Sequence, residues 1–239
     1  MKRRPAAILI TGASSGLGEA LARAYAAPGI TLFLSGRDRL RLHGVADACR
    51  AAGAEVHALV INVTQAVPMA TWIKQCDALR PLDLVVANAG ISAGTGGGGE
   101  GEEQTRAIFA TNLDGVMNTV FPALAVMRPR RHGQIAIMAS LAGYRGLPGA
   151  PAYCASKAAV KTWGEGLRGH LADENIRVSV ICPGFVATRM TAANGFAMPF
   201  LLDAARAARI IVGGLANNRG RIAFPWPMAF GAWLTAALP

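Results

Sequence analysis

Thr11-Gly12-Ala13-Ser14-Ser15-Gly16-Leu17-Gly18 lies between a short apolar run and a segment of helical pattern. Glycines let the backbone turn tightly and approach a ligand closely, and the N-terminus of a helix favours a pyrophosphate group. A glycine cluster alone is also compatible with a tight connection, but strand, turn and helix follow here in the order that dinucleotide binding requires. The stretch therefore predicts a nucleotide-binding turn, with contacts from Gly12, Ser14, Ser15, Gly16, Leu17 and Gly18.

Short apolar runs alternate with helical segments along the whole chain. The runs lack polar alternation, so they predict strands covered on both faces. This order predicts an α/β fold, a Rossmann-like doubly wound parallel sheet with helices on both faces. No change of composition marks a boundary, which favours a single domain over 1–239. The predicted strands are 6–11, 31–35, 55–61, 82–87, 134–140 and 177–182, and the predicted helices include 16–27, 38–52, 102–128, 151–175 and 202–215.

The composition is that of a globular protein, with 52% hydrophobic and 16% charged residues among 239. Lys and Arg outnumber Asp and Glu by 24 to 14, a net charge of +10, but no basic-aromatic interleaving predicts nucleic-acid binding. Four cysteines without a CxxC pair and the lack of an export signal favour a cytoplasmic setting. The four histidines have no partners at metal-ligand spacing, so no metal site is predicted.

Arg37 stands directly after the second predicted strand, where dinucleotide-binding folds contact the adenine ribose. An acidic residue there bonds the ribose hydroxyls, whereas an arginine suits a 2′-phosphate through its planar fork of donors. The next residue, Asp38, bears on this role, because its carboxylate either forms an ion pair with Arg37 or leaves Arg37 without that partner. The alternative is a solvated arginine in a run that also holds Arg39 and Arg41. The pattern predicts NADP(H) in preference to NAD(H).

Tyr153 and Lys157 are four residues apart, so they share one face of a helix. A free tyrosine has a pKa of about 10, and a neighbouring ammonium group favours its phenolate form. Ser140 closes a predicted strand at the sheet edge where open parallel sheets bind ligands, and its hydroxyl can hold a substrate carbonyl. Each residue alone has a purely structural interpretation. Together they predict acid–base chemistry.

Further motifs occur in a specific order: Asn88-Ala89-Gly90 after the fourth strand, Asn112 in the next helix, and Pro183-Gly184 with Thr188 after the sixth strand. With the glycine turn, Ser140 and Tyr153-x3-Lys157, they make the chain resemble the short-chain dehydrogenase/reductase family over about residues 5–190. In that family the tyrosine transfers the substrate proton, the lysine bonds the nicotinamide ribose and lowers the tyrosine pKa, and the serine orients the substrate oxygen.

The resemblance implies catalytic roles for Tyr153, Lys157, Ser140 and Asn112, the last in a water-linked proton relay. It also implies cofactor contacts. Tyr153 and Lys157 bind the nicotinamide side, Asn88, Ala89 and Gly90 line the adenosine side, and Pro183, Gly184, Val186 and Thr188 flank the nicotinamide.

Three positions depart from the family's usual pattern. Ala87 replaces the first residue of Asn-Asn-Ala-Gly, and Asn62-Val63 stands where an aspartate usually meets the adenine. Asn62 can still bond the adenine ring, because its side chain both donates and accepts hydrogen bonds. Ser15 occupies the place of a basic residue that some NADP enzymes carry in the turn, so the NADP(H) prediction depends mainly on Arg37.

Two apolar segments follow these motifs. Residues 189–215 are predicted to form a lid over a hydrophobic substrate, with a short helix in the second half, and a packed core or dimer contact is the alternative. Residues 222–239 carry no charged side chain, but two prolines near their start argue against a membrane span. We expect a strand and helix that complete the subunit or a dimer. The alternative is a peripheral membrane contact through Trp226, Phe230 and Trp233.

These features predict an NADP(H)-dependent oxidoreductase that interconverts a carbonyl and a secondary alcohol on a hydrophobic small molecule, such as a ketone, a ketoacyl compound or a steroid- or lipid-like compound. The alternative is a non-catalytic dinucleotide sensor or partner-binding protein on the same fold. The complete set of Ser140, Tyr153 and Lys157 argues against a sensor. The resemblance also implies a homodimer or homotetramer built on the helices at 102–128 and 151–175.

Overall fold

A parallel sheet forms the centre of the structure, a computed structural model that describes residues 5–92, 100–192 and 194–237. Every neighbouring pair of its strands is parallel, and the order β3-β2-β1-β4-β5-β6-β9 confirms the predicted doubly wound sheet. Within the described residues the strands are β1 (Ala7–Ile10), β2 (Thr31–Gly36), β3 (Glu55–Val60), β4 (Leu84–Ala87), β5 (Gly133–Met138), β6 (Ile176–Pro183) and β9 (Arg221–Phe224), and β7 (Val186–Ala187) pairs separately with β8 (Leu202–Asp203).

Helices cover both faces of this sheet. The α-helices of the described residues are α1 (Gly16–Tyr25), α2 (Arg39–Ala51), α3 (Ala66–Leu79), α4 (Glu102–Phe109), α5 (Gly115–Met127), α6 (Pro151–His170), α7 (Arg189–Ala192), α8 (Ala204–Ala216) and α9 (Trp226–Ala237). Helices α1, α2 and α8 pack into one apolar cluster, and α3, α5 and α6 pack into the other. The helix predicted over 102–128 is divided, because a π-helical turn at Ala110–Asp114 separates α4 from α5.

Burial distinguishes the inner strands from the edge of the sheet. Every residue of β1, β2 and β4 is buried, as expected for apolar runs without polar alternation. The expectation that the strand at 55–61 is covered on both faces is wrong. Leu59 and Val60 are 38% and 43% exposed, because β3 lies at one edge of the sheet, where less of a strand is covered.

The order of the strands reverses between β1 and β4. From β3 the chain returns to the other side of β1 and enters the sheet as β4. The glycine turn follows β1 and Asn88 follows β4, so both lie at the carboxyl edge of the sheet. Ligands of open parallel sheets bind in the crevice at this reversal point. The topology therefore places the predicted cofactor residues where a ligand is expected.

The C-terminal strand and helix expected for 222–239 are present. Strand β9 pairs with β6, and Met228 of α9 packs against the core cluster of α3, α5 and α6. Leu238 and Pro239 lie outside the described residues. Of the helices in the described ranges, none is long and apolar enough to cross a membrane. Trp226, Phe230 and Trp233 are exposed, and their contact with a membrane surface stays a prediction that flotation with anionic vesicles tests.

The segment predicted to form a lid, 189–215, has two different parts in the structure. Its second half contains the predicted helix, observed as α8, whose Ala207 and Ile211 are fully buried in the core cluster shared with α1. A helix packed in this way belongs to the core, so the prediction is left with a shortened lid of residues 189–203, of which Ala193 lies outside the described residues. The β7–β8 pair anchors the end of this segment beside the cleft.

Candidate functional site

A cleft of about 600 Å³ opens at the carboxyl edge of the sheet. Its volume lies within the range of small-molecule sites, about 300–1,000 Å³. Ser140 lines it, whereas Gly18 and Asn112 are not among its lining residues. The predicted cofactor residues that line it are Gly12, Ser14, Ser15, Gly16, Leu17, Arg37, Asn62, Val63, Asn88, Ala89, Gly90, Tyr153, Lys157, Pro183, Gly184, Val186 and Thr188.

The glycine turn requires the absence of side chains at two points. Gly12 has a φ of +65°, and a Cβ atom there would lie 2.8 Å from Cα of Ala89. A Cβ atom at Gly18 would lie 2.3 Å from the carbonyl oxygen of Gly12. Gly18 therefore lets α1 pack directly against the turn, which explains why it does not line the cleft.

Asn88 connects the end of β4 to the glycine turn. Its Nδ2 donates hydrogen bonds to the carbonyl oxygens of Thr11 at 2.9 Å and Gly12 at 3.3 Å. The buried hydroxyl of Thr11 accepts from the backbone N–H groups of Asn88 and Ala89 at 3.0 and 3.1 Å. These bonds fix the turn against the end of the neighbouring strand.

The end of the cleft beside β2 is basic. Asp38 caps α2 by accepting from the N–H of Arg41 at 3.0 Å, and its other oxygen pairs with Nη2 of Arg41 at 2.8 Å. Asp38 therefore pairs with Arg41, and Arg37 forms no ion pair with any described residue. Nε of Arg41 is buried without a hydrogen-bond partner in the described part of the chain. Two guanidinium groups, one with an unused buried donor, fit an anion such as a phosphate.

The segment after β3 also lines the cleft. Oδ1 of Asn62 accepts from the N–H of Thr64 at 3.1 Å, and the carbonyl oxygen of Val63 accepts from Nδ2 of Asn118 at 2.9 Å. These bonds hold Asn62 and Val63 against the cleft, where both were predicted to contact the cofactor.

Ser140 and Tyr153 are hydrogen-bonded to each other at the opposite end of the cleft. Ser140 follows β5, and its Oγ accepts from the N–H of Ala142 at 3.1 Å and donates to the carbonyl oxygen of Pro183 at 3.4 Å. Burial raises the pKa of Tyr153, and the hydrogen bond with Ser140 opposes this effect in part. The phenol therefore carries its proton at neutral pH and is placed to donate it.

Lys157 lies one helical turn beyond Tyr153 and is almost completely buried. Its Nζ donates to the carbonyl oxygen of Met138 at 2.8 Å and lies 5.7 Å from the centroid of the Tyr153 ring. Burial lowers the pKa of Lys157 to about 8. The side chain is thus mainly charged at neutral pH, and its charge faces the phenol.

Asn112 lies on the π-helical turn between α4 and α5, fully buried behind the cleft. Its amide exchanges two hydrogen bonds with the backbone of Ile91, at 2.8 and 2.9 Å, and its Nδ2 donates to Oγ of Ser156 at 3.1 Å. Oγ of Ser156 in turn donates to the carbonyl oxygen of Tyr153 at 2.8 Å. Asn112 therefore links the loop after β4 to the helix of Tyr153 and Lys157.

The loop after β6 closes the cleft from the other side. The side chain of Thr188 lies against Gly16 of the glycine turn. A Cβ atom added to Gly16 would lie 3.3 Å from Cγ2 of Thr188. The hydroxyl of Thr191 accepts from the N–H of Thr188 at 2.9 Å and donates to the carbonyl oxygen of Val186 at 2.6 Å. These contacts fix the loop across the glycine turn, with the cleft between them.

Several lining residues were not singled out by the sequence. Arg41 lies four residues after Arg37, on the first turn of α2, and that spacing is a usable signal. Met138, at the end of β5, adds apolar surface near Ser140, and it carries no sequence signal that separates it from an ordinary packing residue. Met190, in α7, also lines the cleft and lies in the segment predicted to form the lid.

A parallel sheet with a glycine turn after β1 and a serine, tyrosine and lysine gathered in the same cleft defines the class of nicotinamide-dinucleotide-dependent oxidoreductases. The chain belongs to the short-chain dehydrogenase/reductase family, since the sequence profile described as short chain dehydrogenase matches residues 6–197. The chain is thus an oxidoreductase that acts on CH–OH donors with NAD(P)⁺ as acceptor, and the resemblance predicted from the motifs is confirmed.

Similar proteins support this assignment over nearly the full length. An uncharacterized oxidoreductase of Myxococcus xanthus is 39% identical over 97% of this chain and 92% of its own. A ketoacyl reductase of Nostoc is 33% identical over 81% of this chain and 68% of its own. A short-chain dehydrogenase/reductase of Burkholderia phymatum in complex with NAD has a TM-score of 0.87 and 25% identity, covering 100% of this chain and 94% of its own.

A second solved structure shares the fold. The short-chain dehydrogenase of Sphingobium yanoikuyae in complex with NADPH has a TM-score of 0.83 and 23% identity, covering 98% of this chain and 96% of its own. The two structures hold different cofactors, so a nicotinamide dinucleotide is the common feature. The cleft of this chain fits such a group, because its glycine turn has no room for side chains at Gly12 and its far end holds the unused buried donor of Arg41.

Proposed function

We propose that the protein is an NADP(H)-dependent oxidoreductase that interconverts a carbonyl and a secondary alcohol on a hydrophobic small molecule. The observation that carries this proposal is the grouping of Tyr153, Ser140 and Lys157 in the cleft, with the phenol hydrogen-bonded to the serine and the ammonium facing the ring. A protein that only binds the dinucleotide needs the glycine turn but has no use for this group. The set therefore favours catalysis over sensing.

The dinucleotide, when bound, supplies a hydride to the substrate carbon or accepts one from it. Tyr153 gives its proton to the carbonyl oxygen as that oxygen becomes an alkoxide, and takes a proton in the opposite direction. Oγ of Ser140 donates a hydrogen bond to the same oxygen and stabilises its developing negative charge. Because burial raises the pKa of Tyr153, the phenol is protonated at neutral pH, which favours the direction of carbonyl reduction.

Two further residues support this proton transfer. Lys157 stabilises the phenolate that remains after the proton has left, since its ammonium lies 5.7 Å from the ring centroid and is screened from water. Its Nζ would also bond the nicotinamide ribose. Asn112 is assigned to the return of the proton through a water-linked relay, and its bonds to Ile91 and Ser156 hold the backbone around that path.

The substrate end of the cleft is apolar. Met138, Ile91 and Met190 line it, and the rings of Phe185 and Phe196 pack edge to face with centroids 5.8 Å apart beside the start of the shortened lid. Residues 189–203 would close over a bound substrate and exclude water. The ketoacyl reductase among the relatives supports ketoacyl compounds as the first substrate class to test.

A substrate screen tests the proposed reaction. Oxidation of NADPH is followed by its absorbance with ketones, ketoacyl thioesters, steroids and sugars as acceptors, and binding of NADPH is measured separately by fluorescence. Turnover with an apolar ketone or ketoacyl thioester supports the proposal. Tight NADPH binding without turnover in any class supports a sensor instead.

Arg37→Ala is expected to weaken NADPH binding about tenfold or more and to leave NADH binding within about twofold. The guanidinium would bond the 2′-phosphate, and charge-assisted hydrogen bonds contribute about 1.5–3 kcal/mol each. Arg37 is available for this role because Asp38 is held by Arg41. Fluorescence titration with both cofactors gives the two dissociation constants.

Arg39→Ala is the matched control, because Arg39 is exposed at the start of α2, two residues after Arg37, but does not line the cleft. It removes one positive charge without touching the proposed phosphate site, so both dissociation constants should stay within about twofold of the wild type. Equal weakening of NADPH and NADH by Arg37→Ala would remove Arg37 from the 2′-phosphate.

Phe121→Glu is expected to convert a homodimer into monomers. Phe121 of α5 is 54% exposed and packs edge-on against Trp163 of α6, with ring centroids 5.6 Å apart, so the two helices share an apolar outer surface. We propose that this surface joins two subunits. Sedimentation velocity measures the mass, and Leu40→Glu, a change at an exposed leucine of α2, is the control. A Phe121→Glu protein with the wild-type mass would contradict this interface.

A further inference from the structure

Glu100 contacts the first turn of α6, the helix of the proposed catalytic residues. This helix begins at Pro151, which has no N–H group, and its N-cap residue, Ala150, has no side chain that accepts a hydrogen bond. The N–H of Cys154 is bonded to the carbonyl oxygen of Ala150 at 2.9 Å. Two N–H groups of the first turn therefore need an acceptor from elsewhere in the chain.

The Glu100 carboxylate supplies both acceptors. One oxygen accepts from the N–H of Ala152, and the other accepts from the N–H of Tyr153 at 3.3 Å. The negative charge also lies at the positive end of the helix dipole, which strengthens the contact. The partners are 52 and 53 residues apart in sequence, so this is a tertiary attachment of the helix and not a local cap.

Asn112 provides a second connection between the same parts of the molecule. Its side chain is bonded both to the backbone of Ile91 and to Oγ of Ser156 in α6. Ile91 and Glu100 lie on the two sides of residues 93–99, which are outside the described residues. The chain that leaves the cleft wall after Gly90 is thus attached to α6 near each end of this stretch.

We propose that Glu100 is a positioning residue that holds the first turn of α6, so that the Tyr153 phenol stays at the Ser140 hydroxyl. The N–H that Glu100 binds belongs to Tyr153 itself, so a displacement of the helix end moves the phenol with it. A misplacement of about 1 Å lowers the rate of a positioned reaction about 10²-fold. The inference depends on the proposed proton transfer by Tyr153.

Glu100→Ala is expected to lower kcat about tenfold or more while the dissociation constant of NADPH stays within about twofold. Glu100→Gln keeps one acceptor oxygen and is expected to give a kcat between that of Glu100→Ala and the wild type. Glu102→Ala is the control, because Glu102 is exposed and pairs only with exposed Arg106 among the described residues. A kcat within twofold of the wild type in Glu100→Ala, or an equal loss in Glu102→Ala, overturns the inference.

Hydrogen exchange separates this inference from the proposed reaction, because it needs no substrate. In Glu100→Ala the amide hydrogens of Ala152 and Tyr153 are expected to exchange about tenfold faster or more, while the first turn of α1 keeps its wild-type rate. Unchanged exchange in α6 means that Glu100 does not hold the helix, whatever the substrate. If Glu100→Ala does not fold, Glu100→Gln is measured in the same way, and wild-type exchange and kcat in that variant overturn the inference.

Discussion

Tyr153→Phe is expected to lower kcat for carbonyl reduction about 10³-fold while NADPH binding stays within about twofold of the wild type. The substitution removes only the phenolic oxygen, which is hydrogen-bonded to Ser140 and transfers the proton in the proposed reaction. The ring remains, and the backbone of residue 153 keeps its hydrogen bonds to Glu100 and Ser156. The loss therefore appears in the chemical step, with the fold and the cofactor site unchanged.

Tyr25→Phe is the matched control for this experiment. Tyr25 ends α1, at the opposite end of that helix from the glycine turn, and burial raises the pKa of its phenol as it does for Tyr153. Steady-state kinetics and NADPH titration of both variants give the comparison. Tyr153→Phe with more than about a tenth of the wild-type kcat, or a similar loss in Tyr25→Phe, would contradict proton transfer by Tyr153.

The parts of the site that depend on local spacing were predictable from the sequence. The glycine turn is recognised from the strand before it and the helix after it. Tyr153 and Lys157 share one helix face because residues four apart in a helix are always neighbours. The six predicted strands appear within two residues of their expected ends, because continuous apolar runs in an α/β fold are buried on both faces. Only the edge strand β3 departed from that rule, since its position in the sheet is a property of the whole topology.

The parts that depend on tertiary contacts were not predictable. The sequence left open whether Asp38 pairs with Arg37, because the two side chains are adjacent in the chain. In the structure Asp38 forms its ion pair with Arg41, and the same carboxylate caps α2. Glu100 carried no signal at all, because its two partners are more than fifty residues away. Whether the second half of the segment 189–215 packs in the core as α8 depended likewise on tertiary contacts.

Lys157→Met is expected to stabilise the fold while it lowers kcat about 10²-fold. Burial lowers the pKa of Lys157 from 10.5 to about 8, so between these pH values the unfolded chain binds a proton that the folded protein does not. The stability of the wild type therefore rises with pH across this window, and the full cost of burying the charge is present below about pH 8. That cost is about 3.5 kcal/mol at most, since each pKa unit corresponds to about 1.4 kcal/mol.

Methionine removes this cost but loses the bond from Nζ to the carbonyl oxygen of Met138, which contributes about 1 kcal/mol. A net gain of about 1–2 kcal/mol in the free energy of unfolding remains at pH 7, and it shrinks as the pH approaches 10.5. Activity falls because the phenolate of Tyr153 and the nicotinamide ribose both lose the ammonium group in the proposed reaction. Urea unfolding at pH 7 and pH 9.5, together with kcat at pH 7, measures both effects.

Lys161→Met is the control, one turn further along α6, where the ammonium lies 5.0 Å from the Tyr144 ring centroid and 3.7 Å from Glu165. Lys161 does not line the cleft and its ammonium is paired with Glu165, so its replacement should leave kcat unchanged and give no gain in stability. If Lys157→Met is less stable than the wild type at pH 7, the buried ammonium stabilises the folded protein, which contradicts the expected stability gain. A stable Lys157→Met protein with low kcat would instead mean that the fold accepts a buried charge because the reaction requires it.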